Sequence, residues 1–180
     1  MKELSLNILD IVQNSIKAKA DLVGIKIIED DETLEIIVSD NGCGMKQDFL
    51  ATVTDPFSTT RTTRKVGLGI PLLKLQAEQT GGNFSITSRH ESEYPDTHGT
   101  ETRALYYKNH IDMTPLGDIV ATVVTLIQCN PHIDFDFCHK TGEKEIVLDT
   151  RQMREVLGDI PLNSAEVIGW VSESLGEQYS

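Results

Sequence analysis

Cysteine is scarce in this chain. Cys43, Cys129 and Cys138 are an odd number without paired spacing, which excludes a disulfide scaffold and points to a reducing cytoplasm. Long apolar runs are missing too: none reaches the ~18 residues that a membrane span needs. The first residues, Met1–Ser5, lack the apolar stretch and cleavage site of a signal peptide, so neither insertion nor export is expected. Positive charge is in short supply. Sixteen Lys and Arg stand against 28 Asp and Glu, and the net charge of −12 argues against nucleic acid or an anionic membrane as main partner. Internal repeats and low-complexity tracts are absent.

What remains is an ordinary globular composition. With 180 residues and 39% hydrophobic side chains, the chain can bury one sizeable core, with room for a small appendage. A helical apolar stripe runs through residues 3–20, with Leu4, Ile8, Ile11, Val12, Ser15 and Ile16 on it. Val23–Glu29 and Thr33–Ser39 have strand length and flank Asp30-Asp31-Glu32, which predicts a hairpin. A glycine turn at Asp40–Met45 follows, then one short helical turn and a long mobile loop to residue 66. Ile70–Gln79 reads as a helix stopped at Gly81-Gly82, and Phe84–Ser88 and Thr100–Tyr107 read as strands. Beyond Lys108 the pattern restarts with an apolar helix over Pro115–Gln128, then two strands and two helices, with 12 acidic and 5 basic residues over 108–180. The chain thus divides into a helix-and-sheet domain over 1–107 and a small acidic α-β-β-α appendage over 108–180, suited to packing or partner docking.

Three separated segments carry chemistry. Asp10, Asn14, Lys17 and Asp21 share one face of the first helix. Asn14 offers a neutral amide oxygen for Mg²⁺, Asp10 a carboxylate that could take a proton during attack on a phosphate, and Lys17 a positive charge for phosphates. An ordinary solvated helix face would look the same. Asp40 ends an apolar strand and, if partly buried, needs a donor such as an adenine amino group; Gly42 and Gly44 allow close approach of a flat ring. A hairpin turn at Asp40-Asn41-Gly42 is the plain alternative. Gly67-Leu68-Gly69 precedes a helix whose first amides can hold phosphate. Upstream, Ser58–Lys65, including Thr59, Thr60 and Arg61, places hydroxyls and cations where a lid could close over a triphosphate.

Taken together, Asp10–Asn14, Asp40–Gly44, Gly67–Gly69 and Gly99-Thr100 resemble the nucleotide-binding boxes of the GHKL superfamily, over roughly residues 1–107. This ATP-binding fold is shared by gyrase, the ninety-kilodalton heat-shock chaperones, histidine kinases and mismatch-repair ATPases. The resemblance implies an α/β two-layer sandwich of Bergerat type, a mixed sheet with helices on one face. It implies that Asn14 holds Mg²⁺ and Asp40 meets the adenine amino group. Gly44, Gly67 and Gly69 would shape the pocket and the lid hinges, and Thr100 would add a hydroxyl near the adenine. Asp55–Thr60 and Lys17 look like the histidine-kinase version, whereas Asn14-Ser15 and Asp40–Met45 look closer to the mismatch-repair branch.

Two departures shape the functional expectation. ATP-hydrolysing and serine-kinase members of the resembled family carry glutamate where this chain has Asp10, one methylene shorter. The histidines, His90, His98, His110, His132 and His139, include none on a helix followed by an acidic residue and proline, so a phosphoacceptor domain is not expected. Cys129, His132, Cys138 and His139 miss the usual zinc spacing and are expected to be core cysteines and surface histidines. The expectation is a Mg-dependent, ATP-binding regulatory protein with ATPase or protein-kinase activity, or else a non-catalytic ATP-gated module. It would act on a protein partner of unknown identity, with a homodimer left open.

Overall fold

Alternation builds the sheet. The computed structural model describes residues 3–55 and 68–180. Val23, Ile25 and Ile27 of β1 (Leu22–Glu29) and Leu34, Ile36 and Val38 of β2 (Thr33–Asp40) are buried, while Lys26 and Glu35 point the other way. The same alternation runs through β3 (Asn83–Arg89), β4 (Gly99–Tyr107), β5 (Asp134–Thr141) and β6 (Lys144–Asp149). These strands form one six-stranded sheet in the order β3-β4-β2-β1-β5-β6. All neighbours are antiparallel except β1 and β5, which run parallel from Leu22 opposite Asp134 to Glu29 opposite Thr141. The sheet is mixed, as expected for the α/β class. The strands of residues 108–180 continue it.

Among the described residues six helices complete the fold: α1 (Leu4–Lys17), α2 (Gln47–Leu50), α3 (Gly69–Gln79), α4 (Ile119–Cys129), α5 (Thr150–Leu157) and α6 (Ala165–Tyr179). The apolar faces of α1, α3, α4 and α6 meet the buried face of the sheet, and Met153 of α5 joins them. One continuous core results, with Ile8 and Val12 at one end and Phe137 and Val171 at the other. The opposite face of the sheet meets water and carries ion pairs such as Arg103 with Glu101 and Glu35. This is a two-layer arrangement.

Two helix boundaries differ from the sequence pattern, both for tertiary reasons. α1 stops at Lys17, because Lys19 takes a left-handed φ of 60° and the Ala18 carbonyl accepts from the Cys43 amide at 2.9 Å. α4 starts at Ile119 and not at Pro115. The Pro115 and Leu116 carbonyls instead accept from the Leu4 and Ser5 amides at 2.9 and 2.8 Å, completing hydrogen bonds that the first turn of α1 cannot make internally. Asp118 then caps α4, its carboxylate accepting from the Ala121 amide at 2.9 Å.

The end of α6 is tied to the sheet by a half-buried polar chain. Tyr179 Oη lies 2.7 Å from His139 Nδ1, His139 Nε2 lies 3.2 Å from Glu29, and Glu29 pairs with Lys108 at 2.7 Å. Burial pushes the His139 imidazole below its ordinary pKa, against the pull of Glu29. Partial burial works to raise the Glu29 carboxyl, but Lys108 and His139 together hold it below the usual range. Against the expectation of core cysteines and surface histidines, His139 is buried and Cys129 is exposed, while Cys138 sits on the other face of β5 beside Glu145.

Candidate functional site

α1, the end of β2, the turn after it and the start of β4 enclose a cavity of about 730 Å³. Asn14 and Lys17 reach it from α1, Asp40 from β2, Gly44 from the turn, and Thr100 from β4. Ile11, Val38 and Met45 add an apolar wall. In a chain of net charge −12, the wall holds, among the described residues, two lysines, Lys17 and Lys46, against the one carboxylate of Asp40.

Asp40 is held from three sides. Its Oδ1 accepts from the Gly42 amide at 2.9 Å and the Thr100 amide at 3.3 Å, and its Oδ2 accepts from the Ser15 hydroxyl at 2.6 Å. A carboxylate offers about four acceptor positions. Oδ2 therefore keeps one free for a donor in the cavity. Thr100 is in turn oriented by Ser88, whose hydroxyl lies 2.7 Å from Thr100 Oγ1 and accepts from the Met45 amide at 2.7 Å.

The turn itself is clamped. Asn41 bridges to the start of β1, accepting from the Asp21 and Leu22 amides at 3.0 and 3.1 Å. The loop between β3 and β4 closes on the other side: His98 Nδ1 donates to the Gly42 carbonyl at 2.5 Å and the Glu91 amide to the Cys43 carbonyl at 2.8 Å. Gly44 has a φ of +71°, and a Cβ there would stand 1.9 Å from the Arg89 carbonyl oxygen. Only glycine fits. The turn does not close a hairpin, since β2 pairs with β1 and β4.

Of the residues singled out in the sequence, Asn14, Lys17, Asp40, Gly44 and Thr100 come together in the cavity wall. Gly42 lies behind it, buried against Ala18. Asp10 is exposed and is not part of the wall; it stands beside the first turn of α3, where a Cβ on Gly69 would be 2.9 Å from its own Cβ. Leu68 is exposed at the N-cap of α3. Thr59, Thr60, Arg61 and Gly67, with the rest of the expected lid, lie outside the described residues.

Sequence reasoning gave no site role to Ser15, Lys46, Phe49 or His90, all in the wall. Ser15 had a usable signal. A serine on the apolar stripe of a helix needs a partner once buried, and the nearest acidic turn supplies it. Phe49 and His90 had none, because long-range folding alone brings them in.

Asn14 can give a metal one oxygen. Among the described residues no three His, Cys, Asp or Glu side chains gather closely enough to hold an ion, so a metal here would draw its other ligands from phosphate oxygens and water. Among the described residues, too, no helix is long and apolar enough to cross a membrane.

Known proteins share this fold. Residues 2–109 match the family described as histidine kinase-, DNA gyrase B-, and HSP90-like ATPase, more than half of the chain, and the chain belongs to that family. Solved structures share the fold, and two of them cover most of this chain. One is the ATPase domain of MutL from Aquifex aeolicus complexed with ADP, 15% identical, with a TM-score of 0.56 over 98% of this chain and 70% of that one. The other is the N-terminal domain of a DNA repair protein, 17% identical, with a TM-score of 0.55 over 83% of this chain. This chain spans about half of that structure, 53% of its length. No curated protein matches the chain.

Proposed function

We propose that this chain is a Mg-dependent ATP-binding regulatory protein that transfers the γ-phosphoryl group to water or to a protein side chain. The observation that carries the reading is the meeting of Asn14, Lys17, Asp40, Gly44 and Thr100 around one cavity of about 730 Å³. Small-molecule sites span roughly 300–1,000 Å³. The wall suits a nucleotide end to end. The open acceptor position on Asp40 takes the adenine amino group, the apolar wall at Ile11, Val38 and Met45 takes the ring, and Lys17 with Lys46 faces the anionic end. Magnesium, held by the Asn14 amide oxygen and the phosphates, would neutralise charge on the transferring group. Asp10, beside the start of α3, would orient or deprotonate the attacking hydroxyl or water. Thr59, Thr60 and Arg61 complete the reading as lid residues and Gly67 as its hinge. The three free thiols suit a reducing compartment such as the cytoplasm.

One observation favours a second reading, a non-catalytic module in which ATP switches binding of a partner protein. Asp10 is exposed and lies outside the cavity wall. The deciding experiment incubates the protein with γ-labelled ATP and Mg²⁺, with Asn14→Ala as the blank and Asp10→Asn beside it. Label released as phosphate, or on protein, above the blank and lost in Asp10→Asn supports phosphoryl transfer. Tight ATP binding with label retained on ATP over hours selects the switch.

A further inference from the structure

The far edge of the sheet carries a second cavity, of about 800 Å³, which the nucleotide reading does not use. β6, α5 and α6 and the segment between these helices form it, over a floor that includes Met153 and Val167. Three large apolar side chains are exposed there: Val156 at 88%, Trp170 at 54% and Ile160 at 52%. Side chains of this size gathered around one groove mark an interaction surface more than a chance scatter.

Two further features say what covers it. The first is charge. Residues 155–180 include Glu155, Asp159, Glu166, Glu173 and Glu177 and no Lys or Arg. On α6, Glu166, Trp170, Glu173 and Glu177 follow helical spacing along one face, so the apolar groove has an acidic flank. Asp136 and Asp149 at the other rim are already paired with Arg151, at 3.0 and 2.8 Å. The second feature is the edge of β6. There the Val147 amide donates to Gln178 Oε1 at 2.9 Å, and Gln178 Nε2 donates to the Val147 carbonyl at 3.2 Å. The Gln178 amide thus occupies the middle of this edge, at the residue where an added strand would bond. A helix needs no backbone bonds from its groove. A second copy of this chain would bring the same acidic face against itself, and like charges across an interface are repulsive.

We propose that this groove docks an amphipathic helix of a partner protein, apolar on the face that enters and flanked by Lys or Arg. The proposal stands independently of the nucleotide site. Trp170 is the only tryptophan in the chain and sits in the groove, so its emission reports occupancy directly. The probe is a synthetic helical peptide with leucines on one face and lysines on the other, titrated into the full chain, beside a twin with glutamates in place of the lysines. The expected result is a saturable blue shift with the lysine peptide and binding at least about tenfold weaker with the glutamate twin. Val156→Asp and Ile160→Asp should each weaken the lysine peptide by about tenfold or more, as loss of an apolar anchor does. Each adds negative charge, so unspecific attraction would strengthen instead. Both positions are exposed, and unchanged thermal unfolding confirms that the fold survives. No shift, or undiminished binding to the Asp variants, overturns the proposal. So does sedimentation of the chain alone as a dimer that Val156→Asp dissociates, which would give the groove to a second copy.

Discussion

Asp40→Asn changes a single atom and tests the site where its hydrogen bonding is densest. The asparagine keeps an oxygen for the Gly42 and Thr100 amides, now at 2.9 and 3.3 Å from Oδ1, and its amino group can donate to Ser15 once that hydroxyl turns round. The turn should therefore hold, at a stability cost of about 1–2 kcal/mol for exchanging charged for neutral hydrogen bonds. Binding should suffer more. Where the carboxylate offers an acceptor to the cavity, the asparagine presents a second N–H, which opposes an adenine amino group donor to donor. Losing a hydrogen bond to a charged group costs about 1.5–3 kcal/mol, and the opposed donors add to it. A total of about 2–4 kcal/mol corresponds to affinity weaker by roughly 30- to 1,000-fold. Calorimetric titration with ATP and Mg²⁺ measures it, with thermal unfolding as the control. A purine carrying a carbonyl in place of the amino group should lose far less. ATP affinity within about threefold of the unsubstituted chain, with melting unchanged, would refute the placing of the base at Asp40.

Other positions give sharp outcomes. Gly44→Ala forces a left-handed φ on a residue with a Cβ and drives that Cβ into the Arg89 carbonyl, so denaturant unfolding should show a loss of about 2–4 kcal/mol; a loss under about 0.5 would mean that the turn is free to move. Tyr106 is fully buried and its hydroxyl has no partner among the described residues, so Tyr106→Phe should raise stability by about 1 kcal/mol, and a fall would reveal a hidden partner. Burial holds the His139 pKa below 6.5, so on acidification the unfolded chain takes the proton first. Stability should hold above that pH and decline below it, and His139→Gln should flatten the decline. Parallel slopes for the two proteins would remove His139 as the cause.

The parts of the fold that sequence made legible are those written in local spacing. Asn14 and Lys17 on one helical face, an acid at the end of an apolar strand, and alternation in β1 and β2 all follow from periods of 3.6 and 2. Pairing is different. Nothing in Asp134–Thr141 names β1 as its neighbour, because a strand with one apolar face fits any open edge, and only the assembled sheet selects the parallel register. The same limit hid the clamp on the glycine turn. His98 looked like one polar residue in a polar loop, and its bond to the Gly42 carbonyl exists only because β3 and β4 bring the loop back. The late start of α4 belongs here too, since Pro115 and Leu116 are held out of the helix by α1, more than a hundred residues earlier.

The parallel pairing of β1 with β5 also sets a timetable for synthesis. The β1–β2 hairpin can close as soon as it leaves the ribosome, but the other edge of β1 must wait for residues 134–141. At ~5–20 residues per second that interval is on the order of 10 s. Throughout it, a growing chain that already carries the nucleotide-cavity residues from Asn14 to Thr100 presents an unpaired strand edge beside Val23, Ile25 and Ile27. A chain stalled or cut before β5 would keep that edge open indefinitely, so yield in the soluble fraction should depend more steeply on the last third of the sequence than the position of the cavity alone would suggest.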